Sequence, residues 1–129
     1  MAKVIKFSNN TYLYGALLET GSNENGIYEK YSDGKLIQYA RIEKGNIEYT
    51  KSSGNAYINS SNSHITQWTY PIQFNTKPDI VIPTCGGNSY MSCSVNDWTR
   101  TTATIYTTSP SSTTIRNVFI SVIAIGKWR

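Results

Sequence analysis

Apolar and polar residues alternate with a period of two along most of this chain, and no stretch repeats its apolar positions at helical spacing. In the run that opens at Lys35, Leu36, Gln38, Ala40 and Ile42 fall on one face, with Ile37, Tyr39 and Arg41 on the other. This run and the one before it, in "GIYEKYSDGKLIQYARIEKG", flank Ser32-Asp33-Gly34, where glycine supplies the positive φ of a tight turn, so a hairpin is predicted from Gly26. A further run, "NIEYT" at Asn46 to Thr50, extends it into a meander. In "TQWTYPIQF", Trp68, Tyr70, Ile72 and Phe74 share one face, the pattern of a core stripe, against Thr69, Pro71 and Gln73. Pro71 lacks a ladder donor, which makes this an edge or bulged strand.

Four more strands follow: "KPDIVIPT" (Lys77 to Thr84), "SYMSCSV" (Ser89 to Val95), "RTTATIYTT" (Arg100 to Thr108) and the closing "VFISVIAIGKWR" from Val118. The turns between them fall at Cys85-Gly86-Gly87-Asn88, Asn96-Asp97-Trp98 and Ser109-Pro110-Ser111-Ser112. Short strands at this spacing predict an all-β fold, a small antiparallel β-sandwich. The closing run is nearly continuous Val, Phe and Ile, as expected of a central strand covered on both faces.

Elsewhere the pattern fades. "TYLYGALL" (Thr11 to Leu18) reads as a strand, and "ETGSNENG" (Glu19 to Gly26) as a polar loop, so residues 1–25 are expected to be a lead-in connecting to a stem and residues 26–129 the sandwich. "KSSGNAYINSSNSH" (Lys51 to His64) reads as a long surface loop.

Composition supports the β reading. The 129 residues include 10 Tyr and only 16% charged residues, below the roughly 25% of ordinary soluble domains, so hydroxyls, amides and tyrosines must carry the surface. The net charge of +4 is scattered along the chain and forms no run that would track phosphates, which disfavours nucleic acid. After "MAKVIKF", Ser8, Asn9 and Asn10 interrupt any secretory leader, and the closing run is too short to span a bilayer, so no membrane insertion is expected. Cys85 and Cys93 each sit in a predicted strand or the turn between strands, so a bridge is geometrically possible, but a domain this size does not need a disulfide, and two free, mostly buried thiols are expected.

Catalytic chemistry finds little to work with. His64 is the only histidine and has no acid near it in sequence, no nucleophile elbow or His-Glu-x-x-His motif occurs, and one histidine with two cysteines falls short of a structural zinc site. Catalytic residues, metal and cofactors are therefore all expected to be none. The chain does offer aromatics beside planar hydrogen-bonding groups: Trp98 with Asn96, Asp97 and Arg100, and Tyr57 and His64 in the long loop. An aromatic plate under a sugar's C–H face, with amides, carboxylates or guanidinium on its hydroxyls, is carbohydrate-binding chemistry, and these six are the candidate ligand-binding residues. The competing reading has Trp98 covering the end of the sandwich while Asp97 makes an Asx-turn.

Three phrases now fall into order. "NGIYEKYSDGKLIQYARI", "WTYPIQFNTKPDIVIPT" and "VFISVIAIGKW" resemble, in that series, the C-terminal domains of bacteriophage tail-fibre and related host-recognition proteins. There N-G-x-x-x-K-x-x-D-G-x-x-I-x-x-G opens the domain, F-P-x-x-F-x-x-x-P lies in the middle and A-I-G-x-W closes it. The resemblance covers about residues 22 to 128, with Ala40 where the family has Gly and Tyr70 where it has Phe. It also looks like the H-type lectin fold.

The resemblance implies a non-enzymatic homotrimeric fibre tip on the virion tail or a tail-like particle, assembled in the host cytoplasm and joined to upstream fibre or baseplate segments. Its partner would be a bacterial cell-surface glycan, and weak sites would gain avidity from repetition. The alternatives are a trimerisation cap without its own ligand and a glycan-cleaving domain. A chain of this length reads as a small tail component or as a fragment holding the tip. Abundant Asn, Lys and Ile hint at a low-GC Gram-positive host. No binding residue is carried over from the family.

Overall fold

The computed structural model describes residues 15–129, preceded by the backbone of Lys6–Phe7 (β1) and Thr11–Tyr12 (β2), which pair antiparallel. The other described strands are β3 (Leu17–Asn23), β4 (Gly26–Tyr31), β5 (Lys35–Tyr49), β6 (Lys51–Ser53), β7 (Ala56–Ile58), β8 (Ile65–Thr69), β9 (Ile80–Gly86), β10 (Ser92–Trp98), β11 (Thr102–Thr108) and β12 (Thr113–Lys127). All pairings are antiparallel. One sheet has the order β3-β4-β5-β12-β9, a second the order β10-β11-β8, and β6-β7 form a small hairpin. The two larger sheets face each other, as the all-β sandwich requires.

The core lies between them. Leu36 and Ile120 from the larger sheet, Ile105 from the smaller and Phe74 from the segment after β8 are all 0% exposed, and Trp68 and Tyr70 join them. Each such side chain contributes about 1.5–3 kcal/mol by leaving water. Tyr70 packs edge-on against both Trp68 and Phe74, with ring centroids 5.0 and 4.9 Å away, so the predicted core stripe is what the fold uses. The strand itself ends at Thr69, just before Pro71, and β8 is an edge strand.

Beyond β8 the chain is held by a side chain. Gln38 is fully buried on the inner face of β5, where its Nε2 donates to the Ile72 carbonyl (2.7 Å) and its Oε1 accepts from the Ile72 amide (2.8 Å). A polar residue in an otherwise apolar row thus acts as a substitute ladder for a segment that has no strand partner.

The Ser32-Asp33-Gly34 hairpin forms as predicted, with Gly34 at φ 95° and its amide donating to the Tyr31 carbonyl (3.0 Å). The chain terminus docks on this turn. The Trp128 amide donates to the Gly34 carbonyl (3.0 Å) and its indole Nε1 to the Tyr31 carbonyl (2.9 Å). Two residues earlier in the chain, the backbone of Gly126 passes so close to Phe74 and Pro78 that a Cβ there would stand 2.9 Å and 3.0 Å from them.

Several expectations are corrected. Glu19 to Gly26 is not a loop: β3 runs to Asn23 and pairs with β4 through a turn at Glu24 and Asn25, because a polar edge strand need bury only part of one face. "TYLYGALL" is broken at Gly15, φ 77°, with Leu17 and Leu18 belonging to β3, and residues 13 and 14 lie outside those described. Asn46 to Thr50 adds no third strand. It continues β5, whose 15 residues pair along the 15 of β12 through a register shift opposite Gly45, φ 71°. Part of the "loop" at Lys51 to His64 is the β6-β7 hairpin.

β12 is central, hydrogen-bonded to β5 and β9, but its burial alternates, so only one face is covered by the second sheet. The turn expected at Asn96-Asp97-Trp98 lies later, because β10 runs through Trp98 by a register shift between Val95 and Asp97, and Thr99 organises the turn. Thr99 Oγ1 accepts from the amides of Thr101 (3.1 Å) and Thr102 (3.0 Å). Asp97 makes no Asx-turn among the described residues.

Candidate functional site

The six sequence-derived residues do not form one constellation. Trp98 pairs with Ala103 at the start of β11, whereas His64 and Tyr57 meet Thr107 and Ser109 at its other end. Four residues of strand, about 13 Å, separate the groups.

At the first end, Trp98 is half-buried against the core, its Nε1 donates to the Pro78 carbonyl (3.1 Å), and Lys77 Nζ stands 4.6 Å from its ring centroid. Its ring therefore has neighbours on the sandwich side, while Asn96, Asp97 and Arg100 are exposed. At the other end, the expectation of an exposed His64 is overturned. It is 4% exposed, its ring packs edge-on to Tyr106 at 5.8 Å, and its Nδ1 accepts from the Asn59 amide at 3.3 Å. Burial, assisted by the Lys51 charge, pushes its imidazole below the ordinary range. Tyr57 packs on a second small core of Ile47, Tyr49, Ile115 and Val118.

The thiols of Cys85 and Cys93 are free. Cys85 is opposite Ile120 and Cys93 opposite Thr107, both inner-face residues, so the thiols approach each other from the two sheets. Burial first, and the hydrogen bond with Cys93 second, push the Cys85 thiol up to about 12.

Two concave surfaces were missed in the sequence. The first is the outer face of the larger sheet. Ile82, Ile123, Tyr39 and Ile27 stand directly opposite one another across β9, β12, β5 and β4, and Ile80, Ile125 and Ile37 form the next row. The first row, with Arg41, Thr84 and Ser121, surrounds an apolar hollow of about 490 Å³ in which Ile27 and Ile82 are 38% and 50% exposed. Polar groups edge this face: Arg41 stacks on Phe119 at 3.9 Å, and the Glu29 carboxylate accepts from the hydroxyls of Tyr31 (2.9 Å) and Tyr39 (3.1 Å). Alternation along β5 did predict which of its residues share the face; the nearly continuous apolar run of β12 was taken for burial of both its faces by the same chain.

The second surface is a cleft of about 330 Å³ where the sandwich opens between the β3-β4 turn and β8. The turn is stitched to the far wall: Asn23 Nδ2 donates to the Pro71 carbonyl (2.9 Å), and Trp68 Nε1 to the Asn25 carbonyl (2.8 Å). Gly26, φ 132°, begins β4 so close to Tyr39 and Ala40 that no side chain fits there. The cleft collects Glu24, Asn25, Thr66 and Gln67 around Ala40 and Ile42. No local sequence signal marks it, because its walls lie about forty residues apart in the chain and Glu24 and Asn25 were read as loop.

No family model matches the chain, and no curated protein matches it. Solved structures do. The C-terminal portion of the P. aeruginosa R1 pyocin fibre is similar with a TM-score of 0.59 and 20% identity, over 87% of this chain and 29% of that one. An N-truncated R1-type pyocin tail fibre gives 0.58 and 21% identity, over 87% of this chain and 88% of that one. The chain thus spans less than a third of the first fibre fragment and nearly all of the second. At this identity the likeness concerns architecture, and the chain has the fold of the C-terminal region of R1-type pyocin tail fibres.

Proposed function

We propose that the chain is a non-enzymatic tip domain of a phage or tail-like-particle fibre, which assembles as a homotrimer and recognises carbohydrate on a bacterial surface. The fold likeness to pyocin tail fibres over 87% of the chain is the observation that carries this reading. The outer sheet face supports self-association. A row of Ile82, Ile123, Tyr39 and Ile27 is more apolar than an isolated domain gains by exposing, and a second copy presenting equivalent apolar surface would cover it. Segments preceding β3 would join the tip to a stem. The domain would be assembled in the host cytoplasm and act outside it, where repetition of weak sites on one fibre supplies avidity.

The hydroxyl-, amide- and tyrosine-rich surface suits glycan contact, and the exposed Asn96, Asp97 and Arg100 offer hydrogen bonds at one end of the sandwich. Two measurements test the reading. Sedimentation should give three times the protomer mass, reduced to one protomer by Ile82→Glu with strand content retained. Multivalently displayed domain should bind host cells and lose that binding to soluble cell-wall saccharide. A trimer that binds no cells and no glycan would make the domain a structural cap.

A further inference from the structure

We propose that the cleft between the β3-β4 turn and β8 is a binding site for a neutral, hydroxyl-rich saccharide. This rests on the carbohydrate-recognition reading above and assigns it a place in the fold.

The argument begins with a hydroxyl that has no partner. Thr66 stands in the wall of the cleft, is 7% exposed, and its Oγ1 is buried without a hydrogen bond. Leaving such a group unpaired costs stability that valine, of the same shape, would not cost. On this proposal the hydroxyl would reach a bound ligand by changing χ1 rotamer, which exchanges it with the methyl group. A residue whose polarity the fold does not use is explained if a ligand uses it.

The other groups around it are also free. Among the described residues, neither the Glu24 carboxylate nor the amides of Asn25 and Gln67 make a side-chain hydrogen bond. The backbone adds more. The Tyr70 amide donates to the Thr101 carbonyl and the Thr107 amide to the His64 carbonyl, which fixes the alternation of the antiparallel ladder. By that alternation the N–H and C=O of Gln67 and Thr69 point away from β11, out of the open edge of β8. Planar amides and a carboxylate match vicinal hydroxyls as paired donors and acceptors, and Ala40 and Ile42 give an aliphatic floor for the C–H face of a ring. A volume near 330 Å³ lies within the range of small-molecule sites, about 300–1,000 Å³. Glu24 brings a negative charge, and Arg41, the cation in the lining, already pairs with Glu43 and stacks on Phe119, which favours a neutral sugar over an acidic one.

The test uses the full chain, with methyl glucoside, methyl galactoside and N-acetylglucosamine as neutral probes and glucuronic acid as the acidic one. Amide chemical shifts are followed by NMR. At least one neutral probe should perturb Asn25, Thr66 and Gln67, and glucuronic acid should not. Thr66→Val should bind about five- to ten-fold more weakly, the loss of one neutral hydrogen bond, while unfolding at equal or higher urea. Gln67→Ala should also weaken binding with an unchanged spectrum elsewhere. Perturbation confined to other surfaces, such as Asn96 to Arg100, or full affinity in both variants, overturns the cleft and leaves carbohydrate recognition standing. A preference for glucuronic acid in the cleft overturns the neutral assignment. If the wild type binds none of the probes and its attachment to cells resists competition by cell-wall saccharide, both readings fall.

Discussion

Replacing Gln38 tests the idea that one buried amide holds the segment after β8 in place. In Gln38→Leu, both hydrogen bonds to Ile72 are lost, at about 0.5–1.5 kcal/mol each. The Ile72 amide and carbonyl are then left facing leucine. Ile72 is only half-buried, so part of the desolvation penalty of about 1–3 kcal/mol per stranded group applies, offset by some apolar burial. The sum is about 3 kcal/mol, equivalent to a fall of about 10 °C in Tm for a domain of this length. Gln38→Glu separates hydrogen bonding from size. A buried carboxyl has its pKa raised above about 4.3, and in its protonated form it can donate to the Ile72 carbonyl and accept from the amide as glutamine does. Because the folded pKa is the higher one, that variant's stability is fully present below about pH 4 and is lost as pH rises through the folded value. Urea titrations at pH 4 and pH 7, at one fixed protomer concentration, should find Gln38→Glu near wild type in acid and strongly destabilised at neutrality, with Gln38→Leu destabilised at both. A loss under 1 kcal/mol for Gln38→Leu, or a pH-independent loss for Gln38→Glu, would refute the reasoning.

Gly126→Ala should cost about 1–3 kcal/mol by overpacking against Phe74 and Pro78, and Phe74→Leu in the same chain should relieve part of it; strictly additive losses in a double-mutant cycle would mean the contact is not the cause. Cys85 should react slowly with iodoacetamide at pH 8. A rise from 9.0 to about 12 removes about a thousandfold of thiolate, and the greater nucleophilicity of a more basic thiolate returns about 20–30-fold, leaving a rate about 40-fold below that of the urea-unfolded chain. Equal rates folded and unfolded would sink this account. The same raised value stabilises the fold below about pH 9 and withdraws that support as pH climbs from 9 toward 12, so unfolding in alkali should come earlier than in a Cys85→Ala variant measured against its own neutral value.

Strands with strict alternation and a glycine-marked turn were legible before any coordinates. The Asp33-Gly34 hairpin, the Trp68 to Phe74 stripe and the faces of β5 all follow from period two and a positive φ. Two of the misjudged segments share one cause. Polar edge strands such as β3, and the hairpin of β6 and β7, owe their order to pairing with distant or equally polar neighbours, which leaves little hydrophobic trace. Gly45 was misleading for the opposite reason: a glycine between two alternating runs marks a turn or a bulge equally well, and only the partner strand decides between them. His64 shows the limit for single residues. A histidine amid Ser and Asn looks exposed until Asn59 and Tyr106 close around it.

The three sequence phrases turn out to meet in space, which explains why they carry the fold. The first supplies the turn whose Tyr31 and Gly34 carbonyls receive Trp128 of the last. The middle phrase supplies Phe74 and Pro78, against which the missing side chain of Gly126 leaves room, and its Ile72 is held by Gln38 of the first. Each phrase is fixed by the other two, so a change in any one must be absorbed by a buried neighbour. Of the cleft residues, Glu24, Thr66 and Gln67 stand outside those phrases and Asn25 opens the first, and among the described residues the side chains of Glu24, Asn25 and Gln67 make no hydrogen bond. Thr66 is the informative exception, since it is buried like a core residue yet unpaired like a surface one. On the proposal above, a domain that keeps its packed residues constant while exchanging such exposed groups would change the sugar it meets without refolding. Swapping Gln67 and Asn25 for other planar side chains should therefore alter saccharide preference with Tm held within about 2 °C, the shift of a surface substitution of about 0.5 kcal/mol.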